Sequence, residues 1–397
     1  MASRPELRAM VRARHDSCVD FLRAALRTES VAPNEGRMGA LIAQRLGSSR
    51  GELRVLEAEP GRPNVLLSAR GRAPGQVLLL NDHMDTVPAG PRDEWSVDPF
   101  AAELRDGWVW GRGAADSKGG LCTMVMATEI FLAAGGPARG ELLMTAVCDE
   151  EVGSRLGTRW LLQQGLIRGD FGIVCEPTGN RIERAAKGVL HVEIMSKGRM
   201  AHGGKPWAGV NAIANMRPVI EAIDAYAAEL ARRRHELVGA PSVTIGTIQG
   251  GTVPNMVASE CRLVIDRRIL PGEHSSTAIA EIEAIVAGLG RADPRLNLST
   301  RVTLDWPSVE VSAESPVVTA LSRALADVLG APPEIGGKDG GTDAAWIYQA
   351  TGIPMIHFSP GEGRFVLAAD ERVEIEAYLA AIEALVLTFE DILGVAS

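Results

Sequence analysis

Apolar residues along this chain gather into short unbroken runs, each closed by polar residues. The clearest is Val77-Leu78-Leu79-Leu80, which leads into Asn81-Asp82-His83-Met84-Asp85. A run of this kind, bounded by turn-forming residues, reads as a strand buried on both faces, as in parallel sheets. Glu141-Leu142-Leu143-Met144-Thr145-Ala146-Val147-Cys148 repeats the pattern and ends in Asp149-Glu150-Glu151. Phe171-Gly172-Ile173-Val174-Cys175 does so again and ends in Glu176-Pro177-Thr178. Between these runs the apolar spacing lengthens to that of helices, over about 121–134 and 158–164. Upstream, helical spacing over 5–30 breaks at Glu29-Ser30-Val31-Ala32-Pro33, a second helix follows over 36–46, and 53–58 and 64–69 read as strands. Asp106-Gly107 supplies a hairpin-type turn before Trp108-Val109-Trp110.

A different rhythm occupies 187–306. Val189 to Met195, Ser242 to Ile248 and Ser259 to Arg267 alternate as half-exposed strands do, while 211–232 and 276–289 are helical. This predicts an α+β insert. After Trp306 the strand and helix mixture resumes, with helices over 316–329 and 344–349 and a last buried strand over 353–358. The fold class expected is α/β, in a strand-and-helix domain formed by 1–186 and 307–397 and interrupted by the inserted domain (187–306).

A chain of 397 residues that is 46% hydrophobic can bury the cores of two domains. Its net charge of −9 argues against nucleic acid or a membrane surface as partner, since no basic run exceeds Arg232-Arg233-Arg234, a solvated helix end. No apolar leader follows Met1-Ala2-Ser3-Arg4-Pro5 and no window is long and apolar enough to span a bilayer, so a cytoplasmic protein is expected. The five cysteines, Cys18, Cys122, Cys148, Cys175 and Cys261, lack paired spacing and read as reduced core residues.

The chemistry lies where the buried strands end. Ligands of open α/β sheets bind at the carboxyl ends of the strands. His83 and Asp85, two apart, point the same way in extended chain. That suits a metal-ligating imidazole whose other nitrogen is held by a carboxylate, although the same residues alone read equally as a surface turn. Several acidic endings on one sheet edge repel one another unless a cation sits among them. Asp116 lies in Gly111-Arg112-Gly113-Ala114-Ala115-Asp116-Ser117-Lys118-Gly119-Gly120, which resembles a phosphate cradle but lacks the Gly-Lys-Ser/Thr order. A ligand or capping role for Asp116 is the better reading. Hard oxygen donors with one imidazole fit Zn, Co or Mn.

These segments resemble the M20 group of metallopeptidases and amidohydrolases. The likeness rests on His83-Met84-Asp85-Thr86-Val87-Pro88, Gly111 to Gly119, Asp149-Glu150-Glu151 and Cys175-Glu176-Pro177. It continues through Ala201-His202-Gly203-Gly204-Lys205-Pro206, Gly250-Gly251-Thr252-Val253-Pro254-Asn255, Asp266-Arg267-Arg268 and Gly340-Gly341-Thr342-Asp343. The resemblance implies a mixed-sheet, zinc-exopeptidase-like three-layer catalytic domain and a lid that also serves dimerisation, hence a homodimer. It implies that His83 and Glu176 bind one metal, Asp116 bridges two, Glu151 binds the second, and Glu150 is the general base, with Asp85 orienting His83. His202 would steady the oxyanion, Arg268 grip a substrate carboxylate, and Asn255, Gly341 and Thr342 contact substrate. The expected activity is hydrolysis of an amide in a small carboxylate-bearing molecule such as an N-acyl amino acid or short peptide. An aminohydrolase acting on a non-peptide substrate and a catalytically silent binding protein are the alternatives.

One position departs from the family pattern. A histidine normally precedes the final Asp/Asn-Glu pair and completes the second metal site. Here Leu367 stands there, ahead of Asp370-Glu371, and no histidine follows His357. Three explanations remain: one firmly held metal with a weak second, a replacement ligand such as His357 or Asp370, or loss of hydrolysis.

Overall fold

The computed structural model describes residues 2–396. Its contacts divide the chain into two units. One holds the chain up to Arg184 with Val311–Gly336 and Thr342 onward; the other holds Ala185–Glu310 with Gly337–Gly341. The seams thus fall at 184/185 and 310/311, where 186/187 and 306/307 were expected. The loop 337–341 groups with the inserted unit for a physical reason. Lys187 Nζ lies 2.7 Å from Asp339 Oδ1, and Arg268 Nη1 donates to the Asp339 carbonyl at 3.3 Å. Gly341 lies so close to the Trp306 ring that an added Cβ would come within 3.1 Å of it.

The first unit is built on a mixed sheet in the order Glu52–Glu57, Pro63–Arg70, Arg139–Val147, Ala73–His83, Phe171–Val174, Met355–His357 and Ile182–Ala186. Arg139–Val147, Ala73–His83, Phe171–Val174 and Met355–His357 run parallel. The outer strands are antiparallel. Burial on both faces explains the unbroken apolar runs. Leu79, Leu143 and Val174 face Leu161, Ala344 and Ile347 on one side. Helices Lys118–Ala133 and Ile375–Leu393 pack on the sheet strands Ala73–His83 and Arg139–Val147. The close approach at the start of Lys118–Ala133 requires glycine, since a Cβ on Gly120 would lie 1.7 Å from the Cys175 carbonyl oxygen. The stretch 5–30 forms two helices, Arg4–Arg12 and His15–Arg27, instead of one.

Register fixes the functional edge. His83 pairs with Val147, and Asn81 with Val174. Parallel alignment therefore carries His83, the Glu150-Glu151 turn and Glu176 to the same end of the sheet.

The second unit is a four-stranded antiparallel sheet, in the order Ser242–Gly250, Glu260–Ile269, Gly188–Lys197, Leu298–Trp306. Helices Ala212–Leu230 and Ser275–Ala292 contribute Met216, Ile223 and Ile282 to a core shared with Leu190, Val192, Leu263 and Ile265. Strict alternation leaves Asp266 and Arg268 on the other face, where Asp266 lies opposite His191.

Candidate metal centre

His83 sits at the mouth of its strand and is 2% exposed. Its Nδ1 lies 2.9 Å from the Asp85 carbonyl oxygen, which can only accept, so Nδ1 carries the proton and Nε2 presents its lone pair. Nε2 faces Asp116 Oδ1 at 3.3 Å and Glu176 Oε1 at 3.7 Å. Among the described residues two groups of ligand atoms converge, each within 4.8 Å: His83 with Glu150 and Glu176, and His83 with Asp116 and Glu151.

Asp85 differs from the expected arrangement in one respect. Its carboxylate stands 3.8 Å from Nδ1 and accepts instead from the backbone N–H of Glu150 at 3.1 Å and of Glu151 at 3.0 Å. The carbonyl holds the imidazole while the carboxylate holds the glutamate turn.

That turn, Glu150–Val152, follows Asp149 in the left-handed region at φ 73°. Asp149 accepts from Arg62 Nη2 and from the Leu156 N–H, each at 3.0 Å. Arg62 in turn grips the fully buried Glu35 through both guanidinium arms at 2.6 and 2.7 Å. Beyond the turn, Asp343 accepts from Ser154 Oγ at 2.5 Å and Thr158 Oγ1 at 2.6 Å. Sequence reasoning passed over Arg62, Glu35 and Asp343 as functional residues; only Asp343 carried a signal, as the last residue of the Gly340-Gly341-Thr342-Asp343 motif.

Electrostatics describe a site short of positive charge. Burial drives the Glu150 carboxyl well above its usual range, with Glu176, Asp343 and Glu151 adding to it against the pull of His83. Burial likewise lifts Glu151 to about 7. Burial opposes a charge on His83, yet Asp116, Glu150, Asp85 and Glu176 together hold its pKa well above normal. In the metal-free chain the surrounding carboxylates thus favour a second proton, on Nε2, which a bound metal ion would displace to take that nitrogen's lone pair. Glu151 Oε1 is buried without a hydrogen-bond partner. A lone-pair nitrogen, clustered carboxylates and an unsatisfied buried oxygen together fit a divalent cation.

The remaining expected residues fall elsewhere. His357 is fully buried; Nε2 is 2.7 Å from Thr342 Oγ1 and Nδ1 is 3.3 Å from the Glu183 carbonyl. It belongs to neither ligand group. Thr342 caps the helix Asp343–Thr351 by accepting from the Ala344 N–H. In the second unit, His202 and Asn255 are exposed neighbours, joined where the Gly203 N–H donates to the Asn255 carbonyl at 2.8 Å. Arg268 forms a two-armed pair with Asp266, both contacts at 2.9 Å. Leu367 is 52% exposed at φ 60°.

At the edge of this mixed sheet, then, lie donor groups that could hold a metal ion, and known proteins resemble this arrangement in sequence and fold. A family profile described as Peptidase family M20/M25/M40 matches residues 79–391, and the chain belongs to that family. It is 30% identical over 349 residues to the N-formyl-4-amino-5-aminomethyl-2-methylpyrimidine deformylase of Bacillus subtilis, covering 80% of each chain. It is 28% identical to the succinyl-diaminopimelate desuccinylase of Marinobacter nauticus, over 86% of this chain and 90% of that one. In structure it resembles an M20 family metallo-carboxypeptidase from Sulfolobus solfataricus, with a TM-score of 0.76 and 18% identity, over 95% of this chain and 98% of the other. The protein is an M20-type metallohydrolase that cleaves amide bonds of small substrates.

Proposed function

We propose that this enzyme is an N-deacylase, removing an acyl group from the amine of a small molecule. The observation that carries the proposal is the convergence of His83, Asp116, Glu150, Glu151 and Glu176 at one sheet edge. The names of the two curated relatives support it, since one removes a formyl and the other a succinyl group.

His83 Nε2, Asp116 and Glu176 would hold a divalent ion, with zinc the best fit to a nitrogen and oxygen donor set and Co or Mn the alternatives. Bound there, the ion supplies a lowered water pKa and polarisation of the scissile carbonyl. Glu150 acts as general base. As the water oxygen adds to the carbonyl carbon, Glu150 takes its proton and then delivers it to the departing amine nitrogen as the C–N bond breaks. Burial makes Glu150 a stronger base than a free carboxylate. Asp85 keeps Glu150 and Glu151 diverging by fixing both backbone amides.

One ion is held firmly and a second weakly. Leu367 offers no donor, and both nitrogens of His357 are engaged, which argues against His357 as the replacement. Elemental analysis of the native protein should give about one metal per chain, and Leu367→His about two. Glu150→Gln should keep the metal and lose activity by roughly 10²–10⁴-fold. Two metals in the native protein would overturn the single-site reading.

A second reading of the substrate rests on Arg268, whose charge is already matched by Asp266. This favours an acylated amine with no carboxylate over an N-acyl amino acid. The inserted unit is also proposed to form a homodimer. Its edge strand Ser242–Gly250 exposes Ile248, with Ile213 and Val253 also exposed. Ile248→Asp should halve the mass measured by sedimentation, and an unchanged mass would exclude this edge. The five free, buried cysteines support a cytoplasmic location.

A further inference from the structure

The glycine-rich loop before helix Lys118–Ala133 is an anion cradle, and the anion in it is the chain's own. Glu371 is fully buried. Its Oε1 accepts from the backbone N–H groups of Ala115 and Asp116, both at 2.8 Å. Its Oε2 accepts from the Gly113 N–H at 3.0 Å and from Arg112 Nη1 at 2.6 Å. Successive amides converging on one carboxylate form the nest that elsewhere binds phosphate. The chain conformation depends on this. Gly113 sits at φ 87°, and a Cβ there would also lie 2.9 Å from Thr86 Cγ2.

The carboxylate is delivered from far along the chain. Glu371 lies beside the strand Arg372–Glu374, which pairs with Trp108–Trp110, and the Gly111 N–H donates to the Glu371 carbonyl at 2.8 Å. The loop before it is pinned on the same residues: a Cβ on Gly361 would lie 2.3 Å from the Ala115 carbonyl. So the segment carrying Leu367 is fastened at both ends against the loop that presents Asp116.

We propose that Glu371 is a positioning residue for the metal centre, serving as the built-in anion that folds the 111–117 loop and aims Asp116 at His83. The proposal rests on the metal reading above. Asp116 donates its own N–H to Glu371, so its side chain leaves the backbone in a direction set by that bond. In metal sites generally, loss of such an outer partner weakens metal binding by roughly 10–100-fold.

The experiment measures Zn²⁺ affinity of chelator-stripped protein by competition with a chromophoric chelator, alongside the thermal midpoint of the metal-free form. Glu371→Ala should bind Zn²⁺ roughly 10–100-fold more weakly. Formate, an anion small enough for the vacated nest, should restore most of the loss, while neutral formamide should not. Affinity within twofold of native in Glu371→Ala, or equal rescue by formamide, would overturn the proposal. Asp116→Asn separates the two readings. If it leaves Zn²⁺ affinity unchanged, the metal assignment fails; if it abolishes binding while Glu371→Ala does not, only the role of Glu371 fails. Should Glu371→Ala not fold, Glu371→Asp withdraws the charge by one methylene. It should weaken Zn²⁺ binding, and native affinity in that variant would overturn the proposal.

Discussion

At the scale of single residues, the site separates side chains that a sequence announces from side chains that only a fold can bring together. His83, Glu150, Glu151 and Glu176 could be picked out because each follows a buried apolar run and lies in a motif shared with the family; taken alone, such endings read equally as solvated turns. Arg62 and Glu35 could not, because their partners lie 87 and 27 residues away in the chain, and Glu371 was legible only as part of the Asp370-Glu371 pair, its partner 258 residues away unseen. The Asp85 carboxylate was expected on the imidazole, two residues back. It serves backbone amides 65 and 66 residues further on, a contact that strand periodicity cannot see. Arg268 was legible as a cation but not as one already paired with Asp266. Its substitution decides between the two substrate readings. If a substrate carboxylate binds there, Arg268→Ala should raise KM by about 30-fold, the equivalent of roughly 2 kcal/mol. For an acylated amine without a carboxylate, KM should stay within about twofold. Initial-rate kinetics on the two substrate types would distinguish them.

At the scale of elements, strand ends and helices with strong periodicity were readable, and the helix Pro316–Leu329 lies where its spacing put it. Leu298–Trp306 was not foreseen as a strand. Its register slips between Val302 and Leu304, which breaks the alternation a reader relies on. Nor was the helix Ile375–Leu393, which is apolar nearly all round and so carries little of the amphipathic spacing that identifies a helix. The Glu150–Val152 turn depends on a clamp from the Pro63–Arg70 side of the sheet, through Arg62. Replacing Arg62 with Met would leave Glu35 buried and unpaired, at a cost of about 3–5 kcal/mol. Arg62→Met/Glu35→Leu should recover most of that stability in urea denaturation. It should still lose activity, since Asp149 remains without its arginine. Full activity in the double variant would mean that the clamp has no part in setting the turn.

At the scale of the whole molecule, the buried carboxylates make stability depend on pH and metal together. Burial holds Asp343 up to about 6 and Glu151 up to about 7, against ordinary values of 3.8 and 4.5. Between those limits the metal-free folded chain keeps protons that the unfolded chain has released, so unfolding free energy falls as pH rises. The contribution is fully present below about pH 4 and is lost as pH climbs through 6 and 7. Zn²⁺ needs deprotonated ligands, so it should raise the thermal midpoint more at pH 7.5 than at pH 5. A constant difference between metal-free and Zn²⁺-loaded midpoints over that range would contradict this account.

The central sheet also fixes a timetable for synthesis. Phe171–Val174 finds its outer neighbour only in Met355–His357, and the whole of Ala185–Glu310 is translated in between. At about 5–20 residues per second, the ribosome needs roughly 10–40 s to pass from Val174 to Met355. Throughout that time the emerging sheet presents an unpaired apolar edge beside its future active site. Until the missing strand arrives, that edge is a docking point for chaperones and for other unfinished chains.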